Sequence, residues 1–466
     1  MPAQMTAEKS RIVASGAPAH RWLTLLTLCI AVLIAQLDTS VVNLGVHPIG
    51  DYFHADIGAL QWVVDSYNLL YAVLLLTGGL LADLYGRRRV FMAGAALFTV
   101  SSLMCAIAPS VVILIGARAL SGVGAALLLP ASLAIIRVVW TDARERGTAL
   151  GVWTGCNGLA LAIGPTLGGV LIEHFGWRSI FFVVVPLGIA AVILALWAVP
   201  ESSDPQNRRF DATAQILGAV ALGSLALAAI ESHGAGGNAI LAVISLVVAV
   251  AASGLFIMVE RKIGAGALVP LEMFSNSRFR GVIAATTGMT FGMYGLIFLL
   301  PLTWQSAGRL DAVWAGIALT PMAAVYVLVS PFSGWLSGKL GQRFMTGGGV
   351  AIIGLGVFLV GLTTQTASLI GAEIGLALTG LGMGLATGPL MDAAVGAVSA
   401  ARSGTAAALI NTARMIGATI GVAVLGALYS ITGGGTEGLR AAMLVGGVVQ
   451  LACATTAWFA TAAKTA

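Results

Sequence analysis

Charge is what this chain lacks most. Asp, Glu, Lys and Arg make up 9% of its 466 residues, and no polar stretch leaves room for a soluble domain to fold. Histidine is also scarce. His20, His47, His54, His174 and His233 fall in tails, loops or span ends without HExxH-type spacing, which weighs against a membrane-embedded acyl or glycosyl transferase. The four cysteines, Cys29, Cys105, Cys156 and Cys453, lie in apolar runs with no metal-type pairing. They read as small apolar side chains, imply no metal site, and say nothing of redox compartment. No GxxxxGKS or GxxxxGKT stretch points to nucleotide-driven work. No contiguous basic face or aromatic platform points to nucleic acid, and no repeated ring-forming filter points to a passive channel.

What remains is apolar sequence, 58% hydrophobic with a mean hydropathy of +0.96. Runs of 18 or more apolar residues read as membrane spans, and the chain divides into fourteen: roughly 22–46, 59–82, 90–108, 111–135, 147–172, 177–199, 212–231, 238–259, 280–303, 313–337, 344–363, 367–391, 403–430 and 438–462. The 60 glycines do not oppose helices, because small residues let membrane helices approach closely. Residues 1–21 are polar, and the run after them is too long for a signal-peptide core, so nothing reads as cleavable.

With the N-terminus placed in the cytoplasm, 19 of the 24 lysines and arginines fall in inside loops or tails, three (Arg178, Arg309, Arg440) outside, and two (Arg118, Arg414) within spans. That asymmetry is the positive-inside signature. It predicts a multi-pass protein of the cytoplasmic membrane with both termini inside.

The chain also repeats itself. GLLADLYGRR at 79–88 matches GWLSGKLGQR at 334–343 at Gly79/Gly334, Leu81/Leu336, Gly86/Gly341 and Arg88/Arg343, and Gly147-Thr148-Ala149 matches Gly404-Thr405-Ala406 at nearly the same spacing. The expected organisation is a cytoplasmic tail (1–21), a six-helix half (22–200), a linker with two inserted helices (201–265) and a second six-helix half (266–466). Spans seven and eight contain no central charge, which predicts a peripheral, lipid-filling role.

Several motifs resemble those of the major facilitator superfamily. GGLLADLYGRRRV (78–90) looks like its loop motif between spans two and three, with Asp83, Gly86, Arg87 and Arg88 at the motif positions. LIGARALSGVGAA (114–126) resembles the fourth-span motif with its buried arginine, Arg118. AIGPTLGG (162–169) resembles the fifth-span Gly-Pro motif associated with antiporters, here Gly164, Pro165, Gly168 and Gly169. LDTSVVNLGVHPI (37–49) resembles the first-span motif of drug exporters, with Asp38 at its acid, and FGWRSIFFVVVPLG (175–188) continues the match. Fourteen spans make the chain similar to the drug:proton antiporter branch, which holds multidrug and antibiotic-resistance exporters. Leu84, Ser121, Val184 and Gly338 depart from the usual residues, and Gly338 leaves only the N-terminal loop with charges of both signs.

The resemblance implies an all-α major facilitator fold and export of a lipophilic or cationic drug by alternating access, without a cofactor and driven by the proton gradient. A narrow-specificity exporter of a metabolite or antibiotic is the alternative. The expected partners are a small amphiphile, protons and the bilayer, and the expected state is a monomer.

Ionisable groups inside spans are costly and mark function. Asp38, Asp65, Arg118 and Glu373 are the proton- or substrate-coupling candidates, with Asn43 and Arg414 as further possibilities. Gln36, Ser40 and Asn43 share one stripe of span one, while Asp38 lies about 200° round from Gln36 and Ser40, so it faces either the cavity or a neighbouring helix. Gln61, Asp65 and Asn68 share a stripe near the outer end of span two. Glu373 shares a face with Gly380 and Gly384. The resemblance gives Arg118 a part in proton coupling, with a bond to backbone carbonyls as the structural alternative. Asp83 beside Arg87 and Arg88 reads as a conformational latch. Acids in the cavity would favour cationic or neutral substrates over anions.

Overall fold

The computed structural model describes residues 18–203, 211–231, 238–264, 267, 269–365, 369–398 and 403–461. Most of the tail 1–21, and with it Lys9 and Arg11, lies outside the described residues, as do Arg208, Arg209, Arg402 and Lys464. Among the described residues there are fourteen candidate spans when the bent α5 is counted as one: α1 (Pro18–Phe53), α2 (Ile57–Tyr85), α3 (Arg87–Ala106), α4 (Val111–Val139), α5 (Ala143–Phe175), α6 (Ser179–Ala198), α7 (Ala212–Glu231), α8 (Ala239–Ile263), α9 (Ser277–Ser306), α10 (Ala312–Leu340), α11 (Phe344–Thr363), α12 (Ile370–Gly396), α13 (Ser403–Ile431) and α14 (Gly435–Ala460). Among the described residues there is no strand.

Capping chemistry sets several helix starts. Asp56 accepts from the Ala59 amide at 2.8 Å, Ser110 from Ile113 at 3.3 Å and Asp311 from Trp314 at 2.8 Å, each satisfying an orphan donor of the first turn. Arg87, Arg88 and Arg89, expected in a loop, form instead the first turn of α3, and the α2–α3 connection is Gly86 alone. Gly86 holds φ at +107° and Gly341, its counterpart after α10, at +83°. A side chain would strain either turn, which is why both copies of the repeat keep glycine there.

Within the N-terminal half α1 packs on α5 and α6, α2 on α4, and α3 on α4 and α6. Each pairing recurs eight spans later, α9 with α13 and α14, α10 with α12, α11 with α12 and α14. The halves meet where α5 packs on α10, α2 on α13 and α1 on α9. The connecting hairpin is asymmetric. α7 touches α2 and α13, and therefore both halves, whereas α8 packs mainly on α7 and exposes Ile240, Val243 and Val247. α8 is thus peripheral, while α7 is tied inward: Gln215 donates to the Val73 carbonyl and bonds the Thr77 hydroxyl of α2.

Loops following odd-numbered spans lie at one end of the bundle, the odd-loop face, and loops following even-numbered spans at the other. Side-chain hydrogen bonds between the halves, among the described residues, cluster toward the odd-loop face. Gln61 donates to the Val422 and Ala423 carbonyls, both at 3.0 Å, Gln305 donates to the Leu44 carbonyl at 3.2 Å, and Thr166 meets Thr320 at 3.2 Å. On the same side, Gly169 abuts the Ala312 carbonyl and Gly316 the Pro165 carbonyl, where a methyl group would come within 2.5 Å and 2.2 Å. The bundle is therefore clamped at the odd-loop end.

Candidate functional site

Arg118 and Asp38 form an ion pair in the interior of the N-terminal half. The Arg118 Nη1 donates to Asp38 Oδ2 at 2.6 Å, and the residues are 1% and 2% exposed. The guanidinium is held from three further directions. Nε donates to the Val63 carbonyl at 3.1 Å, and the rings of Tyr67 and Phe181 lie 4.6 Å and 5.9 Å from its central carbon. The arginine thus meets both a carboxylate and a backbone carbonyl. Asp38 Oδ1 has no hydrogen-bond partner, an acceptor left open in a buried setting. Ser121, one turn along α4, turns to α3 and meets the Ser101 hydroxyl at 2.8 Å.

The helical geometry of α1 decides what lies in front of this pair. Gln36, Ser40 and Asn43, on the other side of the helix from Asp38, line a cavity of about 50 Å³ between the halves, with Pro165, Tyr294, Tyr326 and Arg414 also in its wall. That volume holds only a few waters. One helix therefore presents the cavity on one face and the ion pair on another. Gly164 and Gly168 of α5 let α1 approach, since a methyl group there would sit 2.5 Å from the Ser40 hydroxyl oxygen and 2.6 Å from Val41. The α5 segments on either side of residues 161–162 diverge by 41°, just before Pro165, whose missing N–H weakens the helical ladder.

The other candidate acids stand apart from the cavity. Asp65 is fully buried in α2, and neither of its carboxylate oxygens has a hydrogen-bond partner; the same holds for both side-chain amide atoms of Asn68. Gln61, on the same stripe, bonds α13, so this polar stripe runs along the α2–α13 seam between the halves. Thr419, one turn before Ala423, has a buried hydroxyl without a partner as well. Glu373 lies half-buried in the first turn of α12, where an acid offsets the helix dipole. Its companions Gly380 and Gly384 pack against α10. None of Asp38, Asp65 and Glu373 lines the cavity, and the charged residue in its wall is Arg414. The sequence periodicity alone could not show which helix each stripe would meet.

At the even-loop face, Asp83 accepts from Arg87 Nε at 3.1 Å and Nη2 at 2.8 Å. Sequence reading missed the third member of this cluster, Glu201 after α6. It accepts from the Arg88 amide at 3.1 Å, approaches Arg88 Nε at 3.8 Å and Arg89 Nε at 3.7 Å, and a methyl group on Gly86 would lie 2.8 Å from it. The Arg87 amide bonds the Ser202 carbonyl at 2.8 Å. Gly86 thus serves both the turn and the approach of Glu201, and three arginines in a helix first turn are offset by two acids.

Residues 28–422 match the family model described as Major Facilitator Superfamily. The chain is similar to "Multidrug resistance protein Stp" of Mycobacterium tuberculosis, with 35% identity over 408 residues covering 88% of this chain and 76% of that one. It is also similar to the "Methylenomycin A resistance protein" of Bacillus subtilis, with 31% identity and 94% of both chains covered. Among solved structures, a bacterial homologue of the human lysosomal transporter Spinster, in an inward-facing and unoccupied conformation, shares the fold with a TM-score of 0.67 at 18% identity, over 96% of this chain and 98% of that one.

Proposed function

The chain belongs to the major facilitator superfamily, and from that membership we propose that it exports small amphiphilic drugs or antibiotics from the cytoplasm, exchanging them for protons by alternating access of the cavity between its halves. Membership makes it a transporter, which sets the transferase reading aside. The names of its relatives, multidrug and antibiotic resistance proteins, support the substrate class. The observation that carries the mechanism is the two-faced α1: the helix that lines the cavity through Gln36, Ser40 and Asn43 also bears Asp38, bound to Arg118.

The even-loop face, with Arg87, Arg88, Arg89, Arg137, Arg146, Arg261 and Lys262, is the cytoplasmic one, so the bundle as described is sealed toward the outside. A substrate entering from the cytoplasm displaces α1 and loosens the Asp38–Arg118 contact. In the outward-facing form Asp38 takes a proton from outside, and Arg118 keeps the Val63 carbonyl and the Tyr67 ring. Return to the inward form re-makes the ion pair and releases the proton inside. Asp65, unpaired in the α2–α13 seam that must part when the outer end opens, is the second proton candidate. Each charge moved through 100 mV supplies about 2.3 kcal/mol, enough to drive accumulation without a nucleotide. The Asp83–Arg87 and Glu201–Arg88 contacts hold the even-loop end of the N-terminal half as one rigid piece while the halves rock. Each copy carries a complete cavity and works as a monomer.

Proteoliposomes with an imposed pH gradient and a fluorescent lipophilic substrate test this. Asp38→Asn should abolish gradient-driven transport while leaving substrate binding; full gradient-driven transport by that variant would remove Asp38 from the coupling step.

A further inference from the structure

Resting on the export reading above, we infer that the cavity selects lipophilic anions, amphiphiles with a carboxylate, sulfonate or phenolate end, and that Arg414 is the residue that holds that end. Arg414 projects from α13 into the cavity wall. Its Nε is buried and without a hydrogen-bond partner, and among the described residues no carboxylate pairs with it. Its charge acts on two phenols, Tyr71 of α2 and Tyr294 of α9. None of the candidate acids pairs with it: Asp38 is bound to Arg118, Asp65 is buried farther along α2 without a partner, and Glu373 lies in the first turn of α12.

An uncompensated guanidinium at membrane depth is costly, and an arriving anion relieves that cost whereas an arriving cation adds to it. The planar fork of arginine matches a carboxylate or sulfonate bidentately, which fixes orientation as well as charge. The opposite wall completes an amphiphile site. Gln36, Ser40 and Asn43 offer hydrogen bonds, and Met293, Met322 and Met383 offer adaptable apolar surface. At about 50 Å³ the cavity must widen at the cytoplasmic end to admit such a ligand. Exchange of one monoanion outward for one proton inward moves two positive charges into the cell, so membrane potential drives it. The same exchange with a monocation moves none.

The test uses fluorescein and the cationic ester of a rhodamine, dyes with the same xanthene ring and opposite charge. Fluorescence anisotropy with the purified full-length protein in detergent measures binding without any gradient. Wild type should bind the anion at least tenfold more tightly. Arg414→Gln should lose that tenfold while leaving cation binding unchanged or improved, and Arg414→Lys should fall between. Equal, reversed or undetectable preference in wild type, or an equal loss of both dyes in Arg414→Gln, overturns the inference. Should Arg414→Gln fail to fold, the wild-type preference and the Lys variant decide. Gradient-driven export of the bound dye from proteoliposomes is scored separately. Binding preference without gradient-driven movement would sink the export reading and leave the anion site; movement without preference would do the reverse.

Discussion

Replacing Arg118 by Met should expose how much of the protein rests on one ion pair. The substitution keeps apolar bulk between α1, α2 and α4 but leaves Asp38, 2% exposed, without its donor at 2.6 Å, and removes the bond to the Val63 carbonyl. Breaking a buried pair from one side costs about 3–5 kcal/mol, roughly two to three and a half orders of magnitude in the folding equilibrium. Asp38→Asn should cost less, about 1–3 kcal/mol, since the amide oxygen still accepts from Nη1 and Arg118 keeps its carbonyl and its aromatic face. The double variant, with no buried charge left, should be more stable than Arg118→Met alone, with a coupling energy of about 1–3 kcal/mol. Unfolding in mixed micelles, followed by the fluorescence of the ten tryptophans, gives all four corners of the cycle. If Arg118→Met lies within about 1 kcal/mol of wild type, or the double variant equals the sum of the singles, the pair is not the buried contact described.

Gly78→Ala should abolish folded yield in size-exclusion profiles, because its methyl group would sit 1.8 Å from the Ala126 carbonyl oxygen of α4. Gly116→Ala, with nothing within 4 Å, should instead raise stability by up to about 1 kcal/mol through helix propensity; a loss in the same unfolding assay would contradict that. Gln215→Leu removes the buried bonds from α7 to Thr77 and Val73, and hydrogen exchange should rise across α7 while the N-terminal half stays protected. Glu201→Gln should change unfolding by no more than about 1 kcal/mol, as expected for partly exposed pairs, yet lower the transport rate. A large stability loss with unchanged transport would deny the cluster its conformational part.

Apolar runs made the fourteen spans legible, yet their ends were off where helices continue through polar residues. α1 extends past residue 46 through His47 and Asp51 to Phe53, because a helix does not stop where hydrophobicity does. Arg118 stood out as a buried charge, but its partner did not. The wheel put Asp38 behind the Gln36–Ser40 stripe without saying which helix lay there, since adjacency of spans is a tertiary fact. Glu201 was invisible for a different reason: an acid just past a span end is unremarkable until the fold carries it to Gly86. Glu373 and Arg414 were the harder pair. Both sit in apolar spans, and only the three-dimensional arrangement separates a helix-end acid from a cavity-wall cation.

The Asp38–Arg118 contact also sets a problem of timing. The two residues are 80 positions apart, and at synthesis rates of about 5–20 residues per second the ribosome needs about 4–16 s to cover that distance. The first span must therefore enter the bilayer with an acid whose partner does not yet exist, against an insertion penalty of about 2.5–3.5 kcal/mol. The apolar run on either side of Asp38 lets it insert regardless. The fourth span then carries its arginine in to meet a carboxylate already waiting, so the earlier of the two helices becomes the template on which the later one finds its register.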